Sequence, residues 1–194
     1  MKKQFMVTAI VAASVLMLGL RAGADEVKGF TLNNQDGEEV SLSDFEGKVV
    51  VLEWTSWTCP WPRRHYQAEN MQSVARKWME KGVVWLAINT NHNEPVEHDK
   101  VHVEKYNLPY PVLNDRTGEV GKAYGATHTP HMFVLDKDHQ VVYQGAIDDD
   151  RDGSKLAAGE DLNYVDQALT ELLADEEISV PKTQAYGCTV KYAP

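Results

Sequence analysis

Two continuous apolar runs, joined by a segment with helical periodicity, constrain the fold of this chain more than any other feature of its sequence. Residues 49–54 read VVVLEW and residues 83–88 read VVWLAI, and each run is typical of a buried strand. Between them, residues 63–81 carry apolar side chains at helical spacing, and Gly82 ends the predicted helix. The sequence therefore predicts a strand, a helix and a second strand in succession.

The remaining predicted elements are shorter and alternate in type. They are two short strands within 30–45, helices over 95–107, 117–124 and 161–174, and a hairpin of 132–136 with 140–146. The acidic run 148–152 is expected to form an exposed loop. This order predicts an α/β fold: a central mixed β-sheet with helices on both faces, an N-terminal β-hairpin, and an extended C-terminal tail over residues 176–194.

Residues 1–24 predict a secretory signal peptide. Lys2 and Lys3 precede an apolar stretch, and Ala22-Gly23-Ala24 supplies the small residues at which signal peptidase cleaves. A membrane anchor is the alternative, but an apolar run of about 15 residues is short, since a spanning helix needs about 20. We therefore expect one domain over residues 25–194, periplasmic or secreted, with no stable membrane association after cleavage.

Charge and cysteine content restrict the partners and the chemistry. The sequence has 29 acidic and 19 basic residues, which argues against nucleic acid as a partner. Its two cysteines are Cys59 and Cys188. An oxidising compartment permits a disulfide, and two cysteines allow a single intramolecular pair.

Cys59 is the first candidate for reactivity, because it lies between a buried strand and a helix in WTSWTCPWP. Pro60 suits the first turn of a helix, and the unpaired N–H groups and the macrodipole at that end favour a thiolate. Arg63 and Arg64 could add positive charge. The alternative is an inert, buried cysteine.

Glu53 is the second candidate. A carboxylate at the end of VVVLEW lies in a run that should be buried, and burial raises the pKa of a carboxyl group. It precedes Cys59 by six residues in the sequence. The alternative is a glutamate at a strand end that is exposed or paired with a lysine.

Several motifs resemble one known superfamily. SLSDFEGKVVVLEW, WTSWTCPWP and YGATHTPHMFVLDKDHQVVYQGAIDD resemble the thioredoxin superfamily, and within it the redoxins, the alkyl hydroperoxide reductase/thiol-specific antioxidant group. The tail motif YGCTVKY is similar to that of a peroxiredoxin-like subgroup with a single active-site cysteine. The resemblance implies a thioredoxin-like fold. It also implies an antioxidant or thiol-disulfide oxidoreductase activity that needs a thiol electron donor and no metal or other cofactor.

The resemblance leaves the substrate open between peroxide and a protein or small-molecule disulfide. Pro62 stands where thioredoxins carry their second cysteine, and Leu52 stands where peroxiredoxins carry a proline. No arginine lies between Arg116 and Arg151, so the arginine that binds peroxide is not evident.

The resemblance also implies roles for individual residues. Glu53 would accept or donate a proton for Cys59. Pro130 would be the cis-proline beside the active-site cysteine, where the preceding backbone is open to an extended substrate. The predicted substrate contacts are Trp57, Trp61, Thr129, Pro130 and His131.

Cys188 is the candidate partner of Cys59. In one version Cys188 attacks oxidised Cys59, and the disulfide forms and is reduced again in each turnover. In the other the disulfide forms once and fastens the tail. A third possibility is a Cys188 that stays free or bridges two chains. A different class of function remains open as well: a metal-binding module using Cys59, His128 and His131, or a peptide-binding surface without turnover. His65 is expected to have a surface or packing role, and His92, His98, His102 and His139 are expected at the surface.

Overall fold

Strands and helices alternate through most of the chain. The computed structural model describes residues 29–155 and 159–194, so the predicted signal peptide lies outside the described residues. The strands are β1 Thr31–Asn34, β2 Glu39–Ser41, β3 Val50–Thr55, β4 Val84–Asn89, β5 Val112–Asn114, β6 His128–Thr129, β7 His131–Leu135, β8 Val141–Gly145 and β9 Cys188–Thr189. The helices are α1 Pro60–Gln67, α2 Asn70–Met79, α3 Glu97–Tyr106, α4 Glu119–Tyr124 and α5 Tyr164–Leu173, with a 3₁₀ turn at Leu42–Phe45.

The two apolar runs form the centre of a seven-stranded mixed sheet, in the order β2-β1-β5-β4-β3-β7-β8. Strand β3 is parallel to β4 and antiparallel to β7, so Glu53 lies opposite Ala87 on one side and Met132 on the other. The predicted mixed sheet is confirmed. Strand β5 was not predicted, because three residues after a pair of prolines give too short a pattern to recognise.

Both faces of the sheet are covered, which explains why β3 is apolar without alternation. Val51 points into a cluster with Tyr66, Trp85 and Val165, whereas Leu52 points into the opposite cluster. Successive side chains of a strand leave opposite faces, so each face needs its own apolar set. Among the described residues, no helix is long and apolar enough to cross a membrane.

The predicted helix over 63–81 is wrong in its continuity and in its start. Two helices, α1 and α2, occupy that stretch, and Glu69 between them has a left-handed backbone with φ of 55°. The Gln72 side chain donates to the Tyr66 carbonyl at 2.9 Å, beside the Glu69 N–H at 3.2 Å, and so links the start of α2 to the end of α1. Both helices pack on the same sheet face, and for this reason their apolar residues together show the spacing expected of a single helix.

The acidic loop and the tail also differ from expectation. Asp148 and Asp150 are each 1% exposed, so the run 148–152 is not simply a solvated loop. The tail is extended, as predicted, but it is not free. Residues 181–183 lie along Gln144 of β8, with Gln144 N donating to the Pro181 carbonyl and Thr183 N donating to the Gln144 carbonyl, each at 3.1 Å.

Candidate active site

Cys59 begins helix α1 and is 2% exposed. Its backbone is extended, with φ of −82° and ψ of 127°, and Pro60 follows as the first helical residue. Its Sγ donates to the Thr129 carbonyl at 3.2 Å. The Thr129–Pro130 peptide bond is cis, as the sequence predicted. The helix start and the loop before Pro130 therefore meet at the sulfur.

A cavity of about 120 Å³ opens beside this sulfur. Its lining consists of Cys59, hydroxyl and amide side chains from three loops, and the tail. The Thr129 hydroxyl is buried and has no hydrogen-bond partner among the described residues. Besides Cys59, the lining residues are Thr55, Ser56, Thr58, Asn91, Thr129 and 188–191.

The tail brings Cys188 to the same place. Strands β6 and β9 are antiparallel, with Thr129 opposite Cys188 and His128 opposite Thr189. Just before Cys188, Gly187 has φ of +114°, and a Cβ there would lie 2.1 Å from the Thr129 carbonyl oxygen and 2.3 Å from Trp61 Cδ1. Glycine is thus required for the tail to approach so closely.

The two thiols interact, although they are not bonded. Burial raises the pKa of the Cys188 thiol to about 11, and a side-chain hydrogen bond and charge repulsion from Cys59 add to the rise. Cys188 is therefore protonated at neutral pH. The part of the rise that comes from Cys59 is absent once the Cys59 sulfur is bonded to another sulfur, because a disulfide sulfur carries neither a charge nor a proton.

Glu53 is fully buried and lies beneath this site. Its carboxylate accepts hydrogen bonds from the hydroxyl of Tyr66, from Trp85 Nε1 at 3.1 Å and from the hydroxyl of Tyr110 at 3.0 Å. Burial raises the pKa of Glu53, although the three donors oppose the rise. The Tyr66 hydroxyl also lies 2.7 Å from Thr55 Oγ1, and Thr55 lines the cavity. A chain of hydrogen-bonding groups thus leads from Glu53 to the space beside Cys59.

Sequence reasoning missed Glu94, which holds the loop before Cys59. Burial opposes ionisation, but hydrogen bonds from Ser56, Asn89 and Thr58 outweigh it and lower the pKa of Glu94 to about 2. An asparagine-rich loop, TNHNE, was the available signal, but its side chains converge only in the fold. The donors to the carboxylate are Ser56 Oγ (2.7 Å), Trp57 N (3.2 Å), Thr58 N (2.9 Å), Thr58 Oγ1 (2.8 Å), Asn89 Nδ2 (2.9 Å) and Asn91 Nδ2 (2.9 Å).

The two tryptophans of the motif lie in different places. Trp57 is 3% exposed, donates from Nε1 to Asp99 at 2.7 Å and stacks on His102 with ring centroids 4.6 Å apart. That burial leaves Trp57 no face open to substrate, so the expected contact of Trp57 with substrate is not supported. His102, which was expected at the surface, packs on the Trp57 ring. Trp61 is half-buried, lies against Gly187 and under the Arg64 guanidinium, and so contacts the tail.

The histidines beside Pro130 have structural partners. His131 Nδ1 accepts from Thr127 N at 3.2 Å, and its ring packs on Phe133 with centroids 4.5 Å apart. Burial lowers the pKa of His131 to about 4. His128 Nδ1 lies 2.9 Å from the Thr127 hydroxyl. Within residues 29–155 and 159–194, no group of three or more His, Cys, Asp or Glu side chains could hold a metal ion.

A second buried cluster anchors the tail two residues before Cys188. The Tyr186 hydroxyl donates to Asp148 and lies 3.1 Å from His65 Nε2, so the hydroxyl proton is used and His65 is the donor in that second contact. Asp148 Oδ2 lies 3.7 Å from His65 Nδ1. Burial lowers the pKa of His65 to about 3 and raises that of Asp148 to about 6. His65 is thus a packing residue, one of the two roles expected for it.

Arg64 and Arg116 have partners other than Cys59. Arg64 donates to Tyr186 at 3.3 Å and to the Arg151 carbonyl at 3.1 Å, whereas Arg63 is exposed. Arg116 forms an ion pair with Asp99 at 2.9 Å and donates to the Asn89 carbonyl at 2.6 Å. Arg64 therefore serves the tail anchor and Arg116 serves the loops beneath the site.

Comparison with known proteins gives one family and several relatives. The family model described as AhpC/TSA matches residues 24–144. The thiol-disulfide oxidoreductase ResA of Bacillus thuringiensis subsp. konkukian (strain 97-27) is 32% identical over 120 residues, which are 61% of this chain and 66% of that protein. The chain thus spans slightly less than two thirds of that relative's length.

Solved structures agree on the architecture. An uncharacterized conserved protein from Geobacillus kaustophilus is 31% identical, with a TM-score of 0.78 over 88% of this chain and 92% of that one. The thioredoxin domain of a thiol-disulfide oxidoreductase from Bacteroides vulgatus is 21% identical, with a TM-score of 0.54 over 63% of this chain and 87% of that one. The fold is a mixed α/β thioredoxin-like fold, as predicted. The family match ends at Gln144, so α5 and the tail lie outside it.

Proposed function

Because this chain belongs to the AhpC/TSA family, we propose that it is an exported thiol-disulfide oxidoreductase in which Cys59 is the nucleophile and Cys188 the resolving cysteine. One observation carries the proposal: Cys188 lies opposite Thr129, whose carbonyl accepts the Cys59 Sγ hydrogen bond at 3.2 Å. The named activity of the ResA relatives supports the reaction class. Export rests on the signal peptide predicted for residues 1–24.

The reaction takes place in two exchanges. The Cys59 thiolate attacks one sulfur of a disulfide, a bond forms between the two sulfurs, and the other half leaves as a thiolate that takes up a proton. Cys188 then loses its proton and attacks Cys59 Sγ. The second half of the substrate leaves as a thiol. The substrate gains two electrons, and the protein changes from a dithiol to a Cys59–Cys188 disulfide, which a thiol donor reduces again.

The high pKa of Cys188 supports this order. At about 11, it keeps Cys188 protonated at neutral pH, so Cys188 does not compete with Cys59 for the substrate disulfide. After the first exchange, Cys59 no longer repels a second thiolate. Glu53 is a suitable acceptor for the Cys188 proton, reached through Tyr66 and Thr55.

Counting released thiols tests the proposal. Reduced wild-type protein mixed with an excess of a small disulfide should release two thiols per chain and lose two hydrogens in mass. Cys188→Ser should release one and retain a mixed disulfide on Cys59, and Cys59→Ser should release none at that site. A wild-type protein that stops at the mixed disulfide, as Cys188→Ser does, would overturn the role of Cys188.

Peroxide reduction by the same two cysteines is a second candidate, favoured by the unpartnered Thr129 hydroxyl in the small cavity. The Cys59 thiolate would attack one peroxide oxygen, giving a sulfenic acid and, after protonation, an alcohol or water. Cys188 would then form the disulfide and release water. Hydrogen peroxide consumption that depends on Cys59 and on an added thiol donor would support it, and a rate equal to that of Cys59→Ser would exclude it.

A further inference from the structure

The tail lies on the strand edge from which Cys59 is reached. We propose that residues 187–190 act as a built-in substrate strand: they occupy the β6 edge, defined as residues His128–Thr129, and so restrict the external partner of Cys59 to small disulfides, excluding extended peptides. This inference rests on the proposed function, and it names the substrate class of that site.

The first argument is the register. Cys188 pairs with Thr129, and Thr129 in turn accepts the Cys59 thiol hydrogen bond. Any extended chain that pairs with Thr129 would bring the residue opposite it to the same position. A peptide that offers its own cysteine to Cys59 along this edge must therefore take the place that Cys188 already holds.

The second argument is that the backbone groups at the edge are in use. Beyond the two paired residues, Val190 N donates to the Thr127 carbonyl at 3.1 Å. Further along, the Lys191 carbonyl accepts from His92 N at 3.1 Å. An incoming strand would have to break the pairing of β9 with β6 and the Val190–Thr127 bond before forming its own.

The third argument is that the tail is fixed on both sides of the edge. On one side Tyr186 is 4% exposed and bound to Asp148. On the other side the Tyr192 hydroxyl donates to the Ala126 carbonyl at 2.6 Å. The strand between these tyrosines is therefore held in place by contacts that do not involve the cysteine.

What remains open beside Cys59 is small. The cavity of about 120 Å³ is closed on one side by residues 188–191 and lined elsewhere by short side chains such as Ser56 and Thr58. A compact disulfide can approach the sulfur through it without moving the tail. A peptide strand cannot, because its backbone needs the β6 edge.

The test compares two probes that release the same thiol. One is bis(2-hydroxyethyl) disulfide, and the other is a peptide of about ten residues whose central cysteine is disulfide-bonded to 2-mercaptoethanol. Both are reacted with Cys188→Ser, which keeps the tail, and with a chain ending at Tyr186, which lacks both Cys188 and the β9 strand. The ratio of the peptide rate to the small-probe rate is read from the adducts on Cys59 by mass spectrometry.

We expect truncation to raise this ratio about tenfold or more, the change that one or two recovered backbone hydrogen bonds supply. Because both rates come from one sample, the ratio does not depend on the fraction of folded protein. Val190→Pro in the Cys188→Ser background removes the Val190 N–H with the chain intact and should raise the ratio too, whereas Val190→Ala, which keeps that N–H, should not.

An unchanged ratio in the truncated chain or in Val190→Pro, with both probes reacting, would overturn this inference and leave the proposed function standing. Failure of Cys59 to react with either probe in Cys188→Ser would overturn the proposed function, and this inference with it.

Discussion

Thr129 and Cys188 face each other across a two-residue antiparallel pair, and the Thr129 carbonyl also accepts the Cys59 thiol at 3.2 Å. The Thr129 backbone thus contacts both cysteines of the chain. They are far apart in the sequence and adjacent in space.

The first prediction concerns the bond itself. Protein isolated under oxidising conditions should contain a Cys59–Cys188 disulfide, because each cysteine has the other as its nearest thiol. Its reduction potential, measured by equilibration with a thiol buffer, should be above about −300 mV, since structural disulfides lie below that value. A lower potential would favour a bond that forms once and fastens the tail, and two free thiols would contradict the pairing.

The second prediction concerns Glu53. Glu53→Gln should slow turnover by about 10²-fold, the lower end of what a positioned acid or base contributes. The loss should be greatest in the second exchange, where Cys188 must release its proton. The rate of each exchange can be measured by acid quenching and mass spectrometry.

Tyr66→Phe provides the matched test, because it keeps the carboxylate and removes the hydroxyl that links Glu53 to Thr55. It should slow the same exchange. If Glu53→Gln reacts at the wild-type rate over the pH range, Glu53 has a packing role alone.

The third prediction concerns Glu94. Glu94→Gln replaces one acceptor oxygen with an NH₂ group that faces donors such as Thr58 N, so we expect a loss of about 1–3 kcal/mol in the free energy of unfolding. Because hydrogen bonds hold the pKa of Glu94 at about 2, its contribution is present above the ordinary glutamate pKa and is lost as pH falls towards 2.

Chemical denaturation at several pH values measures this effect. The difference between wild type and Glu94→Gln should shrink as the pH falls from about 4 towards 2. Glu97→Gln, an exposed change in the first turn of α3, is the control and should cost little. A constant difference would contradict the assignment.

The fourth prediction concerns the tail anchor. Tyr186→Phe removes the hydroxyl that joins Asp148 and His65, leaving buried polar groups unpaired at a cost of about 1–3 kcal/mol. A looser tail holds Cys188 near Cys59 for less of the time, so the second exchange should slow by about tenfold. The first exchange, which uses Cys59 alone, should not slow.

Tyr106→Phe is the control, since the Tyr106 hydroxyl is buried without a partner among the described residues. It should leave the second exchange at the wild-type rate. An unchanged second exchange in Tyr186→Phe would show that the tail is held by other contacts.

The fifth prediction concerns pH and Asp148. Burial raises its pKa to about 6 from an ordinary value near 4, so its contribution to stability is full below about pH 4 and is lost as pH rises through 6. Asp148→Asn keeps an oxygen to accept the Tyr186 hydrogen bond and cannot ionise. Relative to wild type it should gain stability between about pH 4 and 6, by up to about 3 kcal/mol.

The measurement is denaturant unfolding of the reduced proteins across that range. Asp152→Asn, an exposed change in the same loop, is the control and should show no such gain. Burial also lowers the pKa of His65 to about 3, so protonation of His65 lowers the free energy of unfolding of both proteins as the pH falls.

Most of the sheet was predictable because its signals are local. The runs 49–54 and 83–88 are apolar without interruption, as strands covered on both faces must be, and both strands are found. The hairpin of β7 and β8 and the short helix α4 were also predicted. Strand β5 and the break at Glu69 were not, since three residues carry no period and one packing face can span two helices.

The sequence by itself determined that Cys59 begins a helix and that Glu53 lies in an apolar strand, because apolar runs, prolines and helix starts are read within a few residues; its family resemblance added the cis-proline at Pro130. Only the tertiary structure decided what surrounds the sulfur. Glu94 and Tyr186 are unremarkable in the sequence, and each depends on partners that lie more than 30 residues away along the chain, such as Ser56 for Glu94 and Asp148 for Tyr186. The sequence of the tail likewise did not determine whether the tail is free or bound. An extended segment has no hydrogen bonds within itself, so its position depends on the strand edge, the side-chain pockets and the hydrogen-bond partners that other parts of the fold supply.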